Sequence, residues 1–455
     1  MPEAQGKPAL VIQPRRLGDL ILTFPLLLKL QAQNPARPVW VAGQPAFFAS
    51  LMPFAPSATF FSVAQLPDLE KHSYDTVINL GNDRASALCA ENCAADVKIG
   101  QLQTRAGLCV NGYWQLYREG LTQNNRHNPF HWADLFRLDL GLQGYAPARP
   151  RPAGTGRIGI FTGASDAAKR PRALFWSRLA NHLAGMGFRA VLLGGPDEAQ
   201  TGAEIMARGA KALNFCGKTD LRQLAVLLKT LDLLITPDTG PMHLADWLSV
   251  PCLNLSMGNV SAAETGPLAP GQHILRAALS CAGCWQCDKP KPLCHNVFFP
   301  GPVAKIAAKL AAGERPEPQP GLELLHSRRD DLGLFRLGGQ QPLRSMLEDF
   351  WQATFLHLDS WNHENRLKQA GAALLDQAPA VAAKMRSAFG KMLAYISRSG
   401  KRGQPLPDDF WKKQPWHSRL FAGNIHIDLQ NSGFSRASFA RALTKIDVAQ
   451  AVLAP

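Results

Sequence analysis

The residues whose chemistry is easiest to read lie in segment 231–245, L-D-L-L-I-T-P-D-T-G-P-M-H-L-A. An apolar run ends at Thr236, and Asp238-Thr239-Gly240 turns the chain into a helix with Pro241 in its first turn. Free backbone N–H groups and the positive end of a helix dipole suit a diphosphate at that turn, and Gly240 lets a phosphate approach the backbone closely. Plain capping of a helix by Asp238 or Thr239 accounts for the same local pattern, and His243 taken alone is an ordinary core histidine. A second segment, Arg15-Arg16-Leu17-Gly18-Asp19, follows the apolar run A-L-V-I-Q. At the carboxyl end of a strand Asp19 would face a cleft, where a carboxylate takes the proton from an attacking hydroxyl; capping the next helix is its other role. A third, from Gly163-Ala164-Ser165 to Lys169-Arg170, joins a glycine turn to paired cations. Such a loop suits a diphosphate leaving group, whose growing charge needs positive partners, although a solvated loop explains the local pattern better. It is not a P-loop, since the G-x-x-x-x-G-K-[ST] spacing is missing.

Four of the nine cysteines are clustered: Cys281, Cys284, Cys287 and Cys294. Four thiolates at C-x2-C spacing could satisfy one tetrahedral zinc or iron, a structural staple with no open position for catalysis. The last spacing is too long for the common ferredoxin run, and an iron–sulfur cluster, a disulfide and free thiols stay open beside the structural metal. Cys89, Cys93, Cys109, Cys216 and Cys252 sit among apolar neighbours and read as small buried residues.

The elements that must position these residues alternate. After the first strand, a loop and an amphipathic helix over residues 20–33 are expected, then strands at 38–42, 58–63 and 76–80, with helical patterns continuing to about residue 142. A Pro/Arg/Gly-rich linker over 146–156 precedes a second series: helix 175–186, strand 190–194, helices 197–208 and 221–230, strand 231–236, helix 241–248 and strand 252–255. This order predicts an α/β protein with two parallel sheets and a cleft between two similar halves. The expected division is 1–150, 151–315 and a mainly helical extension over 316–455, with helices at 346–361 and 365–397; its role is not legible. The 455 residues, 46% hydrophobic and 18% charged, suit two or three globular domains rather than a fibrous or disordered chain. A net charge of +14 favours anionic partners, but the cations are scattered apart from the short run 398–402, and no nucleic-acid-binding signature accompanies them. Arg15-Arg16 followed by L-G-D-L-I-L-T-F-P-L-L-L imitates a twin-arginine export signal, yet Asp19 interrupts the apolar stretch and a strand precedes it, so the segment reads as folded protein. With no apolar run of transmembrane length, a cytoplasmic protein is expected, with peripheral contact to an anionic membrane open.

Taken together, R-L-G-D-L-I-L-T-F-P-L-L, Y-D-T-V-I-N-L-G-N-D-R-A-S-A-L, G-A-S-D-A-A-K-R, F-W-S-R-L-A, V-L-L-G-G-P-D-E, N-F-C-G-K-T-D-L-R-Q-L-A, P-D-T-G-P-M-H-L-A and E-T-G-P-L resemble glycosyltransferase family 9, the bacterial heptosyltransferases of lipopolysaccharide cores. The matches keep their order over residues 9–310. The resemblance implies a GT-B architecture of two facing Rossmann-like domains. It also implies metal-independent, inverting transfer from an ADP-linked heptose to a glycan, glycolipid or protein acceptor. It gives Asp19 the role of general base, Lys169 a transition-state contact, and Asp238 the donor sugar's hydroxyls. Gly18, Gly163, Arg170, Thr239, Gly240 and His243 fall on the donor side, and Arg84 on the acceptor side. Relatives often carry a cysteine-rich stretch where this chain has its cluster, some holding iron. The loop S-M-G-N-V-S-A-A-E-T-G-P departs from the family's usual Gly-Pro-Thr-Asp-like form, and the extension has no family counterpart. Nucleotide-sugar 2-epimerases share the architecture, and a non-catalytic sugar-binding scaffold is a third reading; both fit the Asp19, Lys169 and Asp238 pattern less well.

Overall fold

The computed structural model describes residues 6–141, 148–284, 287, 289, 292–360 and 362–454, so the linker over 146–156 begins outside them, and so does the end of the helix expected over 346–361. The chain forms two compact units, Met1–Lys98 with His131–Gly339, and Ile99–Phe130 with Gln340–Pro455.

In the first unit, A-L-V-I-Q is buried along its whole length as strand β1 (Ala9–Gln13). A continuous apolar run is what a parallel strand covered by helices on both faces requires. It pairs in parallel with β2 (Val39–Gly43) and β4 (Ser73–Asn79), Ala9 standing opposite both Val39 and Thr76. With β3 (Thr59–Ser62) outside β2 and β5 (Ala94–Thr104) beyond β4, the order is β3-β2-β1-β4-β5. The helix expected over 20–33 is two, Leu17–Leu22 and Phe24–Gln33. Pro25 has no N–H to continue the first ladder, and the chain restarts with that proline in a first turn.

The same unit holds a second sheet, which centres on β7 (Arg157–Phe161), flanked in parallel by β8 (Arg189–Leu193) and β10 (Leu233–Pro237). β9 (Ala212–Asn214) extends one side; β11 (Cys252–Ser256) and β12 (His273–Ala277) extend the other. The Asp232 carboxylate accepts from the Thr155 and Gly156 N–H groups at 3.0 and 2.7 Å, which pins the entry to β7 beside β10. Two antiparallel strands, β13 (Leu322–Arg329) and β14 (Phe335–Gly338), complete this sheet from a stretch assigned by sequence to the extension. Helices Ala173–Gly185 and Pro300–Ala311 cover one face, burying Trp176, Leu179, Val303 and Ile306.

The second unit corrects the expectation of helix up to residue 142. The second half of β5 turns back into β6 (Gly107–Asn111), an antiparallel hairpin in which Gly100 faces Asn111. The hairpin and the helix Tyr113–Glu119 share a core with helices from the end of the chain. Trp114 Nε1 donates to Asp359 at 3.0 Å, Asn431 bonds both ways with the Val110 backbone, and Trp351 stacks on Phe421 at 5.6 Å. The single helix expected over 365–397 is broken at Ala378 into Glu364–Gln377 and Pro379–Arg402, again with a proline opening the second. Among the described residues no helix is long and apolar enough to cross a membrane.

Candidate active site

All three chemistry-bearing segments follow carboxyl ends of parallel strands in the first unit, β1, β7 and β10, and they line one cleft of about 370 Å³. This is where an open α/β sheet presents its loops to a ligand.

After β1, Arg16 takes extended backbone and begins the helix Leu17–Leu22. Asp19 lies in that first turn rather than in a loop, its Oδ2 3.4 Å from the Arg16 N–H and 3.7 Å from Arg15 Nε. Capping and cleft exposure are therefore both realised: the side chain is 17% exposed and lines the cleft. Arg15 lies over the Trp132 ring at 5.7 Å, and Arg16 donates to Ser165 Oγ at 3.1 Å, linking the first loop to the loop after β7.

After β10, Thr239 is the N-cap of the helix Gly240–Trp247, with φ −159° and ψ 163°, and its side chain makes no capping bond. That helix end therefore carries its dipole uncompensated by a side chain and aims it at the cleft. Two close approaches bring this turn against the first loop. A Cβ on Gly18 would stand 2.9 Å from the His243 ring, and one on Gly240 would stand 2.9 Å from Leu17. His243 is buried beneath the turn; burial lowers its pKa, against the opposing pull of Asp238, Asp246 and Asp19. Asp238 accepts from Thr265 Oγ1 at 2.5 Å and lies 3.9 Å from Lys169 Nζ. At 3.9 Å the ion pair is at its outer limit, so the ammonium is held near the carboxylate without being closed onto it.

The loop carrying Lys169 is braced from behind. Asp166 caps the short turn Ala167–Lys169 through the Ala168 N–H at 2.9 Å, and that bond is the leading cause of its lowered pKa. His295 Nε2 donates to the Ala168 carbonyl at 2.6 Å. Gly258, at φ +79°, passes so near that a Cβ there would stand 2.3 Å from the same carbonyl oxygen. Gly258 in turn receives the cysteine loop, its N–H donating to Cys294 Sγ at 3.3 Å and its carbonyl accepting from Cys284 Sγ at 3.8 Å.

Those contacts give the metal expectation no support. Cys281, Cys284, Cys287 and Cys294 line one small cavity, but all nine cysteines are free thiols, and burial raises the pKa of Cys284 and Cys294. Two of the four spend their sulfurs on the Gly258 backbone. Among the described residues no group of three or more His, Cys, Asp or Glu side chains is set to hold a metal ion.

Twelve residues from the three sequence segments meet in the cleft, Lys169, Asp19, Asp238, Gly18, Thr239, Gly240 and His243 among them. Gly163 and Arg170 do not line it: Gly163 makes room for Glu198, whose carboxyl would lie 2.3 Å from an added Cβ. Arg84 opens the helix Arg84–Asn92, exposed and also outside the cleft lining. Sequence reasoning missed Phe47, Trp132 and Thr265. His131 explains the last two: its Nδ1 accepts from the Ala133 N–H at 3.2 Å and caps the helix Trp132–Leu138, leaving Nε2–H for the Gly266 carbonyl at 2.9 Å. One neutral imidazole thus fixes Trp132 and the turn after Thr265. Burial holds its pKa down at about 3.

Two facing sheet domains with strand-end loops meeting in a cleft define a GT-B fold, and the chain matches solved proteins of that class. The family model for glycosyltransferase family 9 (heptosyltransferase) matches residues 64–295, just over half of the chain, and the chain belongs to that family. It is 26% identical over 309 residues to lipopolysaccharide heptosyltransferase 2 of Escherichia coli K12, covering 59% of this chain and 87% of that protein. The Salmonella typhimurium protein of the same name is 32% identical over 125 residues, covering 26% of this chain and 36% of its own length. The solved structure of the E. coli ADP-heptose lipopolysaccharide heptosyltransferase II superposes with a TM-score of 0.51 at 21% identity, over 67% of this chain and 99% of that one. The protein is therefore a glycosyltransferase.

Proposed function

We propose that this enzyme moves a heptose from ADP-heptose to a hydroxyl of the lipopolysaccharide core, another surface glycan or a protein, with inversion at the anomeric carbon and without a metal in the chemical step. The observation that carries the reading is the convergence of Asp19, Lys169, Asp238 and the uncapped Thr239–Gly240 helix end on one cleft, from the three loops that follow β1, β7 and β10.

In this reading the helix end and Lys169 receive the diphosphate, and Asp238, steadied by Thr265, holds the donor sugar's hydroxyls. The acceptor oxygen attacks the anomeric carbon from the face opposite the leaving diphosphate, and Asp19 takes its proton. The C–O bond to ADP breaks as the new glycosidic bond forms, and the charge growing on the diphosphate meets Lys169 and the helix dipole. One carboxylate suffices, because a diphosphate leaves without needing protonation. The relatives' printed names supply ADP-heptose and the lipopolysaccharide acceptor; Arg84 as an acceptor contact, Gly163 and Arg170 as donor contacts, and cytoplasmic action belong to the same proposal.

Purified protein incubated with a panel of nucleotide sugars, with and without heptose-deficient lipopolysaccharide, tests it by mass spectrometry. Release of ADP from ADP-heptose with matching mass gain on the acceptor is the expected result. Cleavage of no donor, or interconversion of a nucleotide sugar with no acceptor product, contradicts it.

A further inference from the structure

The run 398–402 was the only tight basic stretch in the sequence, and the cleft does not use it. Its first residue, Arg398, stands in line with Lys391 and Lys384 on the helix Pro379–Arg402, each seven positions from the next. Seven residues are close to two helical turns, so the three cations form one stripe with about 10.5 Å between neighbours. They are exposed and line a groove of about 850 Å³ within the second unit.

The facing wall is the turn Phe410–Lys413 and the residues after it. It adds Lys413, whose ammonium is paired with Asp409 at 2.9 Å, and the ring of His417. Among the described residues no carboxylate lines the groove, and Lys384, Lys391 and Arg398 are in no ion pair there. The floor is apolar: Tyr395 stacks on Phe410 with ring centroids 5.5 Å apart and planes 24° from parallel. His417 is 4% exposed, and its Nδ1 is buried with no hydrogen-bond partner.

A stripe of unpaired cations over an aromatic floor, with no carboxylate among the described lining residues, has one complementary chemistry. From it we infer that this groove binds a phosphate ester carried on an apolar body, the phosphate lying between Lys391, Arg398 and Lys413 and the body resting on Tyr395 and Phe410. The apolar floor assigns that phosphate to a lipid headgroup rather than to a soluble phosphate. The site is independent of the donor cleft and stands whether or not the proposed heptosyl transfer is correct.

The full chain is tested against two probes, vesicles of phosphatidylcholine with or without phosphatidic acid by co-sedimentation, and inorganic pyrophosphate by calorimetry. Wild type is compared with Lys391→Glu/Arg398→Glu and with Arg402→Glu, an exposed cation of the same helix outside the groove. Loss of two charge-assisted contacts should weaken binding at least about tenfold in the double variant and leave Arg402→Glu near wild type. If the double reversal fails to fold by circular dichroism, Lys391→Gln/Arg398→Gln replaces it, with the same direction expected. Groove-dependent binding of phosphatidic acid vesicles is the expected result, and groove-dependent binding of pyrophosphate alone overturns the lipid-borne assignment. Equal binding by wild type and double variant, an equal loss in Arg402→Glu, or binding of neither probe overturns the proposal.

Discussion

Lys169 is placed by its neighbours more than by its own loop. His295 and Gly258 close on the Ala168 carbonyl, and the ammonium ends 3.9 Å from Asp238, short of a tight pair. Lys169→Ala should lower turnover by about 10²–10³, the scale of removing one positioned transition-state donor, in steady-state assays of ADP release. Turnover close to wild type would take Lys169 out of the chemistry. Gly258→Ala is the sharper test of the brace. Its Cβ meets a backbone oxygen at 2.3 Å in a left-handed conformation, so stability should fall by about 1–3 kcal/mol in denaturant titrations. Turnover should fall with it if the Lys169 loop is displaced; normal kinetics in a folded variant would show that the loop does not depend on Gly258. Asp19 and Asp238 each sit in a short pattern that local rules interpret, apolar strand, polar turn, helix, whereas the local pattern around Lys169 favours a solvated loop and its place came from the family resemblance. Trp132 and Thr265 had no such signal: Trp132 meets the cleft under Arg15 and Thr265 through Asp238, and the His131 imidazole that fixes the turns beside them bonds Gly266 across 135 residues of sequence.

At the scale of elements, the helix Trp132–Leu138 begins on that imidazole, which must stay neutral to accept at Nδ1 and donate at Nε2. Its pKa is held at about 3 in the folded chain, against about 6.5 when unfolded. The unfolded state therefore binds the extra proton as pH falls below 6.5, and stability is lost progressively between there and about pH 3. The slope due to this residue is at most about 1.4 kcal/mol per pH unit. His131→Gln should remove that part of the slope in denaturant titrations at several pH values; an unchanged slope would show that His131 does not titrate in this window. Most strands of the two sheets were read within a few residues, because buried parallel strands are uninterrupted apolar runs. The hairpin of β5 and β6 was not, since its half-exposed residues alternate weakly and its partners lie more than 300 residues on. Helix breaks at Pro25 and Pro379 were masked by the apolar periodicity running through them.

For the molecule as a whole, the mainly helical extension shares a core with residues 99–130, so it belongs to a composite unit that sequence order hides. Trp351 is fully buried there against Phe350, Phe389 and Phe421, and Trp351→Ala should cost about 3–5 kcal/mol in thermal or denaturant unfolding. A loss under 1 kcal/mol would mean this aromatic cluster is not the unit's core. The opposite result for the extension's charges belongs to the groove, where substitutions should change binding and leave folding intact. Family, fold and cleft agree on a glycosyltransferase, and the claim on which the proposed chemistry turns is that Asp19 takes the acceptor's proton. Single-turnover transfer from saturating ADP-heptose, compared between wild type and Asp19→Asn with ADP affinity measured alongside, tests it most directly. Transfer should slow by about 10²–10⁴ with ADP binding unchanged; transfer at the wild-type rate with ADP binding intact would exclude Asp19 as the base.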